Sequence, residues 1–163
     1  MKTKLDKNSI PQDFSLRLAL VDGIPVILFS ISMILLSKLL NSYLFLLGSI
    51  LCLMAGICKV LWKIIVVLKR KNIWFLFIQM RIIMPLGLIM MIVGFVISSS
   101  NLDLKIFISF PAILFFIIGI IGMSLMFVFA FTLDGSVSKN NWIEQITNII
   151  AQLAFLIGLI LII

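Results

Sequence analysis

The sequence contains no histidine, only two cysteines and only six acidic residues. Without histidine, the commonest proton shuttle and metal ligand is missing. Cys52 and Cys58 lie inside an apolar run at a spacing that matches neither a CxxC motif nor a zinc pattern, which favours two small buried hydrophobic residues. The GxSxG, HExxH and P-loop motifs of hydrolases and phosphoryl-transfer enzymes are also absent. The sequence therefore predicts no metal site, no cofactor and no catalytic residue.

Apolar residues are abundant instead. They make up 63% of the chain, and the mean hydropathy is +1.33, whereas soluble domains are about 45–50% apolar. Long apolar runs recur along the whole sequence, and the isoleucine- and lysine-rich usage indicates an AT-rich, bacterial genome. No short apolar region ending in a cleavage site follows Met1, so no cleaved signal peptide is expected. We interpret residues 1–163 as a single transmembrane domain.

Five segments are long enough to cross a bilayer, which takes about 20 apolar residues. They are residues 20–40, 43–68, 76–98, 105–132 and 142–163. The connections between them are short, so neighbouring spans should be antiparallel. The predicted fold is an all-α integral membrane protein, a single bundle of five transmembrane helices. Pro11 and the Gly23–Pro25 stretch allow either a short interfacial helix before the first span or one continuous kinked helix.

The positive charges predict an orientation. If the N-terminus is cytoplasmic, the inner side carries eleven of the thirteen Lys and Arg residues and only Lys38 and Lys105 lie outside. This asymmetry follows the positive-inside rule. We therefore expect a cell-membrane protein with a cytoplasmic N-terminus and an external C-terminus. The net charge of +7 then favours contact with the anionic lipids of the inner leaflet and not with nucleic acid.

The last span begins with polar side chains at helical spacing. Glu144, Asn148 and Gln152 fall on one side of a helix at about 100° per residue. Polar groups in hydrocarbon cost a few kcal/mol each unless they face protein or water, so this side should face the bundle. The alternative is ordinary hydrogen bonding between helices.

A face of small residues on the second span continues into two lysines. At about 1.5 Å per residue, Lys59 lies about 15 Å deeper than Lys69. The alternative is that the span ends early and residues 59–68 form an amphipathic extension anchored by Trp62. Small residues allow helices to approach closely, which predicts helix-packing roles for Gly48, Cys52, Gly56, Gly119 and Gly122.

Together these patterns predict a polar pocket that opens toward the cytoplasm and is closed outside by an apolar plug. Opposite charges at that depth should pair, Asp22 with Lys59 and Glu144 with Lys63. Arg81 is a candidate contact for lipid phosphates. The predicted pocket residues are Asp22, Lys59, Lys63, Asp134, Glu144, Asn148 and Gln152.

Three functions fit these predictions. The first is transport, channel activity or binding of a small polar or amphiphilic ligand in the pocket. The second is a non-catalytic accessory, assembly or immunity-like subunit that packs against a partner membrane protein or a second copy of itself. The third is a lipid-modifying enzyme at the inner leaflet, for which the sequence supplies no recognisable catalytic motif.

Overall fold

All regular structure that the computed structural model describes is helical. It describes residues 15–133 and 137–163, apart from the side chains of Asn101, Leu104 and Ala130. Two short 3-10 stretches, Ser99–Asn101 and Leu104–Ile108, connect the helix that ends at Ser98 to the helix that begins at Ala112. The α-helices are α1 (Leu16–Val21), α2 (Gly23–Leu40), α3 (Tyr43–Lys69), α4 (Trp74–Ile78), α5 (Met80–Ser98), α6 (Ala112–Thr132) and α7 (Ser138–Ile160).

Within residues 15–133 and 137–163, five helical segments are long and apolar enough to cross a membrane, as the sequence predicted. Two of them consist of a pair of helices, α1 with α2 and α4 with α5. The prediction of an all-α membrane bundle with five spanning helices is thereby confirmed.

The first segment is one kinked helix. Only Asp22 separates α1 from α2, and its backbone is itself helical, with φ −61° and ψ −20°. Pro25 has no N–H group to bond the carbonyl of Val21, which accounts for a break at this point. Of the two predicted alternatives, the continuous kinked helix describes residues 16–40. Residues 11–14, where the predicted interfacial helix would begin, lie outside the described part of the chain.

The second segment is the longest helix. Ser42 caps α3 with its side chain, and Asn41 adopts a left-handed conformation that turns the chain between α2 and α3. Its 27 residues extend over about 40 Å at 1.5 Å per residue. This length exceeds the roughly 30 Å of hydrocarbon in a bilayer.

Proline explains why the fourth span is shorter than predicted. The prediction began it at residue 105, whereas α6 begins at Ala112. A residue that precedes proline is driven away from the helical region, and Pro111 imposes this restriction on Phe110. Residues 104–108 form a 3-10 turn instead of extending the helix.

The helices pack in the order α5, α3, α2, α7, α6, so that the first spanning segment lies in the middle. Glycine allows the closest of these contacts. A Cβ atom on Gly48 of α3 would lie 2.6 Å from the carbonyl oxygen of Gly87 in α5. At the other side of the bundle, a Cβ atom on Gly122 of α6 would lie 2.6 Å from the Cβ of Ala151 in α7.

This row of helices is curved. On α3, Gly48 and Cys52 face α5, whereas Gly56 and Val60 face α2. The two pairs are centred roughly 80° apart around the helix at 100° per residue. Helices packed in a flat row would instead use opposite faces. The row therefore has a concave side, toward which the side chains between these two contact faces point.

A similar angle occurs on α7. Ala151 and Gly158 face α6, while the buried side chains of Gln145, Gln152 and Leu159 lie roughly 110° farther round the helix at 100° per residue. The bundle thus curves again at α7, which places α5 and α6 at the two edges of the concave side.

An apolar core fills the half of the bundle away from the basic residues. All five spanning segments contribute buried side chains to it, and Leu102 and Phe107 from the α5–α6 connection pack against it. We call the opposite end, where α1, α4 and α7 begin and α3 and α6 end, the basic end, and the half next to it the basic half. The core holds the five segments together beneath the polar groups of the basic half. Its buried members are Met33, Leu36, Leu40, Phe45, Cys52, Met91, Ala112, Phe116 and Leu159.

Candidate functional site

One carboxylate and two lysines meet inside the basic half. Asp22 Oδ2 lies 2.9 Å from Nζ of Lys63, and Asp22 Oδ1 lies 3.7 Å from Nζ of Lys59. The kink between α1 and α2 positions Asp22, while the two lysines follow one another by one turn of α3. The predicted Asp22–Lys59 pair is present, but Lys63, which was expected to pair with Glu144, makes the shorter contact with Asp22.

The three side chains differ in burial. Asp22 and Lys63 are 3% and 6% exposed, whereas Lys59 is 35% exposed. Buried ion pairs are stable only with good geometry, because both charges lose their hydration. The short, covered Asp22–Lys63 contact meets this condition. Lys59 is held more loosely and is the accessible charge of the cluster.

Glu144 of α7 adds a second carboxylate near this cluster. It is half-buried and interacts favourably with the charge of Lys63. The repulsion between Lys59 and Lys63 disfavours the positive charge of Lys63. Three of the spanning segments thus contribute to one group of charges, consisting of Asp22, Lys59, Lys63 and Glu144. We call these four residues the charge cluster.

The amides of α7 form a polar strip beside the charge cluster. Gln152 is buried and Asn148 is half-buried, as suits residues that face the bundle. Asn141 and Gln145, which the sequence prediction left out, are also buried, at 6% and 4% exposure. The signal for them was the spacing of 141, 145, 148 and 152, which alternates steps of four and three residues along one helix face.

Gln145 is unusual among these amides. Its Oε1 atom is buried and accepts no hydrogen bond from any residue that the structure describes. A buried acceptor without a donor costs about 1–3 kcal/mol, so it provides a place for a donor from water or from a ligand. Asn141, one turn earlier, donates from Nδ2 to the carbonyl of Val137 at 3.2 Å.

Exposure changes along the concave side. In the half away from the basic end, Leu40, Phe45 and Cys52 are at most 3% exposed. In the basic half, Lys59 of α3 and Asn148 of α7 are partly exposed. The concave side is therefore closed by apolar side chains in one half and lined by accessible polar groups in the other.

Two tryptophans mark a level in the basic half. Trp62 and Trp74 both contact the ring of Phe77, with centroid separations of 4.9 and 5.2 Å. Trp62 also donates from Nε1 to Oδ1 of Asn72 at 2.9 Å, which fastens the α3–α4 loop to α3. Lys63 follows Trp62 directly, so the charge cluster lies close to this level.

The remaining predicted site residues are placed as follows. Asp134 lies outside the described residues. Arg81 is exposed on α5 and its guanidinium lies 5.0 Å from the centre of the Phe77 ring. The residues predicted for helix packing all occur at helix–helix contacts inside the chain, where Gly48 and Cys52 meet α5, Gly56 meets α2, and Gly119 and Gly122 meet α7.

A buried glutamine that the sequence prediction did not select links α3 to the third segment. Gln79 is 7% exposed and donates from Nε2 to the carbonyl oxygens of Leu76, at 3.2 Å, and Ala55, at 3.5 Å. It lies between α4 and α5, and its backbone is helical. Its amide ties the junction of these two helices to α3.

A separate cavity of about 200 Å³ lies at the opposite end of the bundle. None of the predicted pocket residues lines it. Within the described residues, no three Cys, Asp or Glu side chains are grouped in a way that would hold a metal ion. The cavity surrounds the turn between α2 and α3 and is lined by Ser37, Lys38, Asn41, Ser42, Tyr43 and Leu46.

Comparison of the chain with protein-family models, with curated proteins and with solved structures gives no significant match.

Proposed function

We propose that the protein binds or transports a small polar or amphiphilic ligand, which reaches the charge cluster from the basic end. The observation that carries this proposal is the change along the concave side from buried apolar residues to partly exposed Lys59, Glu144 and Asn148. A charged group within a membrane-spanning segment is energetically costly in hydrocarbon, so it is a candidate for function. The buried, unpartnered Oε1 of Gln145 adds support.

The proposal includes an orientation. Lys69, Arg70, Lys71 and Lys139 lie at the basic end, whereas Lys105 lies at the other. By the positive-inside rule the basic end faces the cytoplasm, so the ligand enters from the cytoplasm or from the inner leaflet of the cell membrane. Trp74, which is partly exposed at this end, fits the aromatic belt at that interface.

Chemical labelling tests this orientation. Tyr43, the first residue of α3, is 82% exposed, and Lys71 lies in the α3–α4 loop at the opposite end. Each is replaced by cysteine in a background without Cys52 and Cys58. A membrane-impermeant maleimide added to intact cells should label Tyr43→Cys and spare Lys71→Cys until the cells are broken. The reverse pattern would place the basic end outside.

A stability screen tests the ligand-binding function. A ligand that binds only the folded protein stabilises it by about 2.7 kcal/mol at one hundred times its dissociation constant. Purified protein in lipid nanodiscs is therefore heated with a library of amino acids, sugar phosphates, nucleosides and single-chain amphiphiles. We expect at least one compound to raise the melting temperature of the wild type.

The variants decide whether that compound uses the proposed site. Lys59→Met and Glu144→Gln should abolish the stabilisation while the proteins still insert and show native helical content. Lys105→Met, at the opposite end, should retain it. The proposal fails if no compound stabilises the wild type, or if both site variants respond as the wild type does.

The accessory-subunit function is the second candidate. The small-residue faces that would have received a partner helix, around Gly56 and Gly122, are filled by helices of the same chain. A partner or second copy would have to use the outer surfaces of α5 and α6, which expose many large apolar side chains. Under this hypothesis a protein would copurify with the wild type and would be retained by the Lys59→Met variant.

A further inference from the structure

Lys59 and Lys63 contact Asp22 unequally, and this difference indicates which lysine a ligand can bind. Both oxygens of Asp22 are engaged, one by Lys63 at 2.9 Å and the other by Lys59 at 3.7 Å. Glu144 adds its attraction to Lys63. Lys63 thus makes the shorter contact and is covered by protein, whereas Lys59 makes the longer contact and is accessible.

Lys59 is the accessible cation of the charge cluster. It is 35% exposed, whereas Asp22 and Lys63 are almost completely buried. It lies about 4.5 Å below the level of Trp62, at 1.5 Å per residue. An accessible cation at this depth is stabilised by any anion that supplies the compensation it lacks.

The charges of the basic half also favour an anionic ligand. Among the described residues of the basic half, two carboxylates, Asp22 and Glu144, stand against eight cations. A field of this sign concentrates anions and repels cations at the entrance. The cations are Arg17, Lys59, Lys63, Lys69, Arg70, Lys71, Arg81 and Lys139.

We infer that the ligand carries an anionic group, a phosphate or a carboxylate, that binds Nζ of Lys59 and takes the place of its loose contact with Asp22. This inference rests on the proposed function and specifies its ligand class. Lys63 keeps Asp22 in position while Lys59 turns to the ligand. The anionic group belongs either to the headgroup of an anionic lipid or to a water-soluble anion.

Native mass spectrometry tests the inference with lipids that differ only in the headgroup. The protein is titrated in detergent with phosphatidylglycerol and with phosphatidylcholine of the same acyl chains. We expect at least tenfold tighter retention of phosphatidylglycerol by the wild type. Lys59→Gln should remove this preference, Lys59→Arg should restore it, and Lys105→Gln should leave it unchanged.

A competition identifies the source of the anion. Glycerol phosphate, which carries the headgroup phosphate without acyl chains, is added to the complex with phosphatidylglycerol. Displacement at submillimolar concentration indicates a water-soluble ligand, and retention of the lipid indicates an amphiphile. Both results agree with an anion on Lys59.

Other outcomes overturn the inference. In one such outcome, the wild type retains both lipids equally and Lys59→Gln loses both. This result contradicts an anionic ligand but leaves the proposed function in place. Equal losses in Lys59→Gln and Lys105→Gln would indicate nonspecific attraction and would also refute it. If no lipid, soluble anion or screened compound shows binding that depends on Lys59 or Glu144, the inference and the proposed function both fail.

Discussion

Removing the carboxylate of Asp22 should destabilise the protein more than any other single change in the charge cluster. Asp22→Asn leaves Lys63, which is 6% exposed, as a covered cation without its 2.9 Å partner. Breaking a buried ion pair by removing one partner costs about 3–5 kcal/mol. We expect a loss of that size in the free energy of unfolding.

The neighbouring lysine should behave differently. Lys59 is 35% exposed and lies 3.7 Å from Asp22, so its pairing resembles that of a surface ion pair, which contributes about 1 kcal/mol or less. Lys59→Met should therefore cost far less than Asp22→Asn. The double variant Asp22→Asn with Lys63→Met should cost less than the two single changes together, because residues in one ion pair are coupled by about 0.5–3 kcal/mol.

The measurement is reversible unfolding in mixed micelles, followed by far-ultraviolet circular dichroism. Asp103→Asn provides the matched control, since Asp103 is exposed, caps the backbone N–H of Lys105 at 3.0 Å, and is replaced by a residue that caps equally well. The reasoning is refuted if Asp22→Asn costs no more than Asp103→Asn. It is also refuted if Lys59→Met is as damaging as Asp22→Asn.

Two further predictions use the same unfolding assay. Gly48→Ala should destabilise the protein by about 1–3 kcal/mol, because its new Cβ would lie 2.6 Å from the carbonyl oxygen of Gly87. Gly23→Ala, whose nearest contact would be at 3.8 Å, should be close to neutral. Equal effects of the two substitutions would contradict this packing. Gln145→Met should keep or raise stability, because it removes a buried acceptor that has no donor, and a loss above about 1 kcal/mol would instead indicate a hydrogen bond to bound water that stabilises the fold.

The spanning segments could be predicted from the sequence because length and hydropathy are local properties. The boundaries of α3 were predicted within one residue, since polar residues flank its long, mainly apolar run at both ends. The start of α6 was missed because the mostly apolar sequence of residues 104–110 is compatible with a helix as well as with a 3-10 turn. Only the backbone restriction from Pro111 distinguishes them.

Side-chain partners were harder to predict than helix faces. The helical positions of Asp22, Lys59 and Lys63 indicated that these charges face inward, but Lys59 and Lys63 lie one turn apart and compete for the same carboxylate. The relative height of α2 and α3 decides this competition. It depends on close packing between helices, such as Gly56 against Val26, which a single helix pattern does not contain.

The same limit explains why Gln145 of α7 was missed. A helix with one buried face has its polar and small residues in one sector of its circumference, which we call an arc. In contrast, α7 buries two arcs, one that faces α6 through Ala151 and Gly158 and another that contains Gln145. An arc centred between the two excludes Gln145. The number of neighbours that a helix has was therefore the information that the sequence pattern lacked. Asn141 was missed for another reason, because the predicted span began at residue 142, whereas α7 begins at Ser138.

Stability and function can be separated at the charge cluster. Replacing a buried set of charges by apolar residues of similar volume is often neutral or stabilising by about 1–4 kcal/mol, because no charge then loses its hydration. The quadruple variant Asp22→Leu, Lys59→Met, Lys63→Met, Glu144→Gln should accordingly insert and unfold at least as stably as the wild type, although Asp22→Asn alone is damaging. If the cluster serves binding, this stable variant should lose all selective retention of anionic lipid or soluble anion in the mass-spectrometric assay. A variant that is stable and still binds would show that these charges have no part in recognition, whereas one that fails to fold would show that their pairing is required for the structure itself.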